Sequence, residues 1–100
     1  MPLTIVQEKA FRPRDENTHE APLLPATVHT LNIPIGATEI VVQAVEENIR
    51  MTMDGTLPTA TVGFQLVAGN VPVRILITER TTLRFLREAD GAYLQYEYGD

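Results

Sequence analysis

From Thr27 to the C-terminus, apolar and polar residues alternate with a period of two, the repeat of a strand that buries one face. Residues 28–33 form the first such run, closed by Pro34 and Gly36. Residues 39–45 follow, rich in β-branched side chains (Ile40, Val41, Val42, Val45), with Glu46, Glu47 and Asn48 as a turn. In residues 48–53, Ile49, Met51 and Met53 share one face against Arg50 and Thr52, and Asp54-Gly55 then supplies a tight turn. Residues 62–67 end at Gly69-Asn70, and residues 71–77 set Val73, Ile75 and Ile77 against Arg74. Residues 81–88 and 92–98 flank Asp90-Gly91, which predicts a β-hairpin. In the last run Ala92, Leu94, Tyr96 and Tyr98 share one face, and Tyr93, Gln95 and Glu97 the other. The best helical candidate, residues 42–51, is too β-branched and lacks a C-cap. The predicted fold is all-β: an antiparallel β-sandwich or small barrel of about seven strands with an extended N-terminal arm.

That arm is residues 1–26. It holds Pro2, Pro13, Pro22 and Pro25, four of the seven prolines, and has a period of neither two nor 3.6. Only Leu3-Thr4-Ile5-Val6 reads as a strand; Phe11 and the pair Leu23-Leu24 are isolated apolar anchors. The arm docks either on its own domain, residues 27–100, or on a partner. With so little core pattern, it is expected to be dispensable for folding.

Composition removes most chemistry. The 100 residues include no Cys, Ser or Trp, so disulfides, thiolate metal sites and Ser or Cys nucleophiles are excluded together. The net charge of −5 argues against direct binding to nucleic acid, which needs a basic face. No apolar run approaches a membrane-spanning helix, and residues 1–10 lack the pattern of a signal peptide. His19 and His29 have no metal-binding spacing, and the adjacent acids Asp15-Glu16 and Glu46-Glu47 point apart in extended chain. The six glycines are dispersed and cradle no phosphate. Tyr93 faces away from Tyr96 and Tyr98, which spoils a stacking platform. No catalytic residue, metal or cofactor is expected, and enzyme is the least supported class.

The run from Asn48 to Gly63, with Asp54-Gly55-Thr56 and Pro58-Thr59, resembles small structural, head decoration-like proteins of tailed bacteriophages. Ala44, the Ile33-Pro34-x-Gly36-Ala37-Thr38 segment, the Ala68-Gly69 turn and a closing Tyr98-Gly99 fit the same layout. The Asp-Gly turn after an alternating strand is also similar to immunoglobulin-like accessory modules of glycoside hydrolases, although Met51 stands where those have Tyr. A short chain with its own Met1 and a Pro-rich arm fits the first family better. Both resemblances imply a sandwich.

The first resemblance implies a virion protein, made in the host cytoplasm, that binds and stabilises the mature capsid as a decoration (cement) protein. Its partners would be the major capsid protein or other virion subunits, and it would be a homo-oligomer on the particle, a trimer among the options. The arm's Leu3, Ile5, Phe11, Leu23 and Leu24 would be apolar anchors, with Arg12 and Arg14 as charged contacts. A head–tail junction or tail-associated subunit is the alternative within the virion. A carbohydrate-binding or adhesive module using residues 54–61 is the alternative outside it.

Overall fold

A computed structural model describes residues 10–14 and 18–100 of the chain. Among the described residues there are seven strands: β1 (His29–Thr30), β2 (Glu39–Val45), β3 (Ile49–Thr52), β4 (Phe64–Leu66), β5 (Val73–Leu76), β6 (Arg84–Arg87) and β7 (Tyr93–Gly99). There is no helix among the described residues. The strands form two antiparallel sheets, one ordered β1-β6-β3-β4 and the other β5-β2-β7. The expected strand at residues 3–6 lies outside the described residues.

The period-two pattern decides which face each strand buries. Ile40, Val42 and Ala44 of β2 point inward with Leu94 and Tyr98 of β7, while Ile49 and Met51 of β3 and Phe85 of β6 face them from the opposite sheet. Ile33, Ala37, Met53, Ile77 and Tyr96 pack around this cluster. Each fully buried large side chain contributes roughly 1.5–3 kcal/mol of transfer free energy. β2 is the central strand of its sheet, paired over its whole length with β7 and over four residues, Glu39 to Val42, with β5.

The predicted hairpin at Asp90-Gly91 does not form, because β6 and β7 belong to different sheets. Gly91 does take a positive φ of 90°, but Asp90 does not, so the two-residue hairpin turn that needs both is absent. The corner instead carries the chain over the rim of the sandwich, where Arg87 holds Asp90 at 2.5 Å. Its flanking strands bury Phe85 and Leu94 against the same core from opposite sides. A turn residue reports that the chain reverses; which sheet it reverses into is set by burial of the inward faces. The link from β2 to β3 crosses similarly, and there Glu46 sits at φ 74°, the left-handed region a non-glycine residue enters rarely.

Candidate interaction surfaces

The described part of the arm lies along the outer edge of β7. Glu20 and Tyr96 exchange a pair of main-chain hydrogen bonds, each 2.9 Å, and the Leu24 N–H donates to the Ala92 carbonyl at 2.9 Å. The Leu94 N–H donates to the Pro22 carbonyl at 3.0 Å, and the Asp100 N–H to the Arg12 carbonyl at 2.9 Å. Pro13 lies between the bonded Arg12 and Arg14, so its missing N–H points away from β7, whereas Pro22 faces β7 and offers only its carbonyl, which leaves one rung of the ladder unmade. The bridges are isolated, at Pro13, Glu20 and Leu23, so the arm is a laced edge rather than a continuous strand.

The arm residues expected as partner contacts fall into different environments. Leu24 is 1% exposed and belongs to the core cluster, so as folded it has no surface to offer a partner. Its burial weighs against the expectation that residues 1–26 are dispensable, since their removal would take a core side chain with them. Arg14 donates from Nη1 to Asp100 Oδ1 at 2.9 Å and from Nη2 to the Ile35 carbonyl at 3.1 Å, tying the arm to the domain. Phe11 is half-buried, and its ring packs so closely on β7 that a Cβ at Gly99 would come within 2.6 Å of it. Arg12 is exposed, and Leu23 is the exposed apolar residue of the set. Leu3 and Ile5 lie outside the described residues.

Phe11 and Glu39 both approach Gly99, and Glu39 belongs to an ion pair. Glu39 is buried, and its Oε2 accepts from Arg74 Nε at 2.7 Å and lies 2.5 Å from Nη2. Its Oε1 has no hydrogen-bond partner among the described residues. Breaking such a pair by removing Arg74 would leave a buried charge uncompensated.

The opposite side of the molecule is open and apolar. β4 and β5 are the terminal strands of their sheets, and the connection between them contributes Val67 and Val71 to the surface. Phe64 sits opposite Met51 in register, the inward side of β4, yet it is 63% exposed. Next to it, residues 53–63 form a groove of about 460 Å³ lined by Met51, Met53, Val62 and Phe64, with Asp54 and Thr56 at its polar end. Leu57 and Val62 are exposed along the same loop.

Local hydrogen bonds set the loop's shape. The Thr56 N–H donates to Asp54 Oδ1 at 3.0 Å, which holds the Asp54 carboxyl below its ordinary pKa. Thr52 Oγ1 donates to the Thr56 carbonyl at 2.5 Å. Further along, Thr59 Oγ1 accepts from the N–H groups of Thr61 and Val62 at 3.2 and 3.0 Å. Gly63 closes the loop at φ 119°, with the Met51 carbonyl only 3.1 Å from where a Cβ would stand. Behind it, Gln65 Nε2 and Arg50 Nε donate to Glu88 at 2.8 and 3.0 Å; these bonds, the Gln65 one foremost, lower the Glu88 pKa. The groove is therefore a shaped apolar surface on a hydrogen-bonded frame. The loop of residues 54–61 is an expected candidate; the exposure of Phe64 beside it is not, because alternation along residues 62–67 does not record that β4 ends its sheet.

Reactive chemistry is sparse. Among the described residues no three of His, Asp, Glu and Cys gather to hold a metal ion. His19 meets Gln95 at 2.9 Å on the exposed outer face. Tyr96 and Tyr98 pack edge to face with ring centroids 5.6 Å apart, and burial raises both hydroxyl pKa values, Tyr98 to about 12. Comparison with protein-family models, with curated proteins and with solved structures finds no match to this chain.

Proposed function

We propose that the protein is a bacteriophage virion subunit that acts by binding, as a capsid decoration protein stabilising the mature shell. The observation that supports this reading is the apolar groove beside β4, where Phe64, Val62 and Leu57 are exposed together on a frame of side-chain hydrogen bonds. Apolar anchors ringed by polar groups are how protein interfaces concentrate their binding energy. The proposed partner contact thus moves from the arm, much of which is engaged with its own β7, to the loop of residues 53–63 and β4. The resemblance of residues 48–63 to phage structural proteins supports the same place. A subunit that binds only the expanded lattice stabilises that state by mass action, without catalysis.

Co-sedimentation with expanded and unexpanded capsid shells tests this. The full chain is expected to pellet with expanded shells only, and Phe64→Asp to remain in the supernatant while keeping its circular dichroism spectrum. Equal binding to both shell states, or unchanged binding of Phe64→Asp, would overturn the reading. A second reading rests on Phe64 standing beside Asp54 and Thr56, an exposed aromatic next to polar oxygens, as glycan sites are built. Retention on immobilised glycans, lost in Phe64→Ala, would favour that adhesive module.

A further inference from the structure

We propose that the open edge of β5 in one copy receives residues 3–6 from the N-terminus of a second copy, as an added antiparallel strand. The inference deepens the decoration-protein reading by naming how its copies join, and it is read without any capsid present.

The acceptor is defined by register. The Ile77 N–H donates to the Thr38 carbonyl at 2.8 Å, on the β2 side. Main-chain groups alternate sides along an antiparallel strand, so those of Leu76 point away from β2, where no described strand lies. Side chains along this edge match a missing neighbour. Val73, opposite Val42 and on the inward side of the sheet, is still 42% exposed, and Leu76 is 72% exposed. A cleft lined by Val42, Leu66, Val71 and Val73, together with Gln43, Gln65 and Asn70, adjoins this edge. What fits is an extended segment with alternating apolar side chains on one face.

The chain carries such a segment outside its described residues. In Leu3-Thr4-Ile5-Val6, Leu3 and Ile5 would share the inward face, and three of the four residues are β-branched. Geometry selects a second copy over the same one. Arg12 is fixed beside Asp100, beyond β7. From there to the free side of β5 is four strand spacings, about 19 Å. The six steps from Arg12 back to Val6 span about 20 Å fully extended. Such a path would be taut and would have to rise over the side chains of the sheet's outer face. It would also bring Val6 in at the Leu76 end and so run parallel to β5, in a molecule whose named strands pair antiparallel. A neighbour's segment meets neither restriction. Donor and acceptor are different surfaces, so the contact is head-to-tail and closes by forming a small ring.

The experiment compares four proteins by light scattering after size-exclusion chromatography: the full chain, a chain lacking residues 2–9, the full chain with Ile5→Asp, and the full chain with Val73→Asp. The full chain is expected to be oligomeric and each variant monomeric, all with the same circular dichroism spectrum. Mixing the truncated chain, which keeps the acceptor, with Val73→Asp, which keeps the donor, is expected to restore a dimer. An oligomer that survives the truncation would overturn the proposal. So would a monomeric full chain, whether the Leu76 amide is protected from hydrogen exchange, placing the segment on its own β5, or unprotected. Failure of capsid binding with intact self-association would sink the decoration reading and leave this one standing.

Discussion

The two edges of the three-stranded sheet are treated in opposite ways. Beyond β7 the arm supplies backbone partners, places Leu24 in the core and seats Phe11 against Gly99. Beyond β5 no described residue does this, and Val71, Val73 and Leu76 stay exposed. An unpaired edge is a template for another chain, and natural sheets blunt such edges with short strands, prolines and charge. β5 has some of each: it is four residues long, follows Pro72 and carries Arg74. The difference teaches that closure here is selective. One edge is made part of the domain, and the other is kept short and available.

The contrast is broken most directly through core burial. Leu24→Ala is expected to cost about 2–5 kcal/mol, the range for deleting a buried leucine and leaving a cavity. Leu76→Ala, made in the chain lacking residues 2–9 so that no neighbour covers the edge, should change stability by no more than about 0.5 kcal/mol in either direction. Urea unfolding of both variants measures this. Similar losses would mean that the β5 edge is covered in the free protein.

Next in size is the seating of Phe11. Gly99 has ordinary backbone geometry, but an added Cβ would stand 2.6 Å from the Phe11 ring and 3.0 Å from the Arg12 carbonyl. Gly99→Ala should therefore cost about 1–3 kcal/mol through overpacking. Hydrogen exchange of the Asp100 amide, bonded to Arg12, should rise with it. Unchanged exchange would show that the arm follows β7 without needing the close approach.

Alkaline pH probes the inner side of the closed edge. Tyr98 has its pKa raised from 10.0 to about 12, first by burial and then by Tyr96. The folded state holds the neutral phenol while the unfolded chain ionises near 10, so folding retains more protons between these values. The contribution is complete below pH 10 and is lost as pH rises from 10 towards 12. Tyr98→Phe should flatten that decline in melting temperature, leaving the smaller share due to Tyr96. A decline equally steep in Tyr98→Phe would assign it elsewhere.

How much of this was legible varied with whether the information was local. β2 and β7 could be read from residues 39–45 and 92–98 because each strand has one apolar inward face, and alternation records that in the residues themselves. The partner of each strand is not local. Asp90-Gly91 has hairpin chemistry and still connects two sheets, and Phe64 pairs with the buried Met51 but stays exposed because it lies on a terminal strand. Leu24 was hidden for the opposite reason: an adjacent pair of leucines in a Pro-rich segment has no period, and only the packed sandwich shows which of the two fills a place in it. The loop of residues 54–61 was legible as a turn-rich candidate. The groove it forms depends on Met51 and Met53 beneath it and on the β4 edge beside it.

The smallest effect sharpens what holds the arm down. Arg14 and Asp100 pair at 2.9 Å with the carboxylate about half exposed, in a setting where ion pairs are screened and contribute about 0–1 kcal/mol. Asp100→Asn should therefore lower stability by less than about 0.5 kcal/mol, because Arg14 keeps its bond to the Ile35 carbonyl and the Asp100 main chain keeps Arg12. The loss should shrink further in 1 M salt, where the Debye length is about 3 Å. Measured beside Gly99→Ala, it separates charge from packing at one end of the arm. If Asp100→Asn costs as much as Gly99→Ala and the cost disappears in salt, the arm is held by charge, and the closed edge would be a reversible clasp instead of a packed part of the domain.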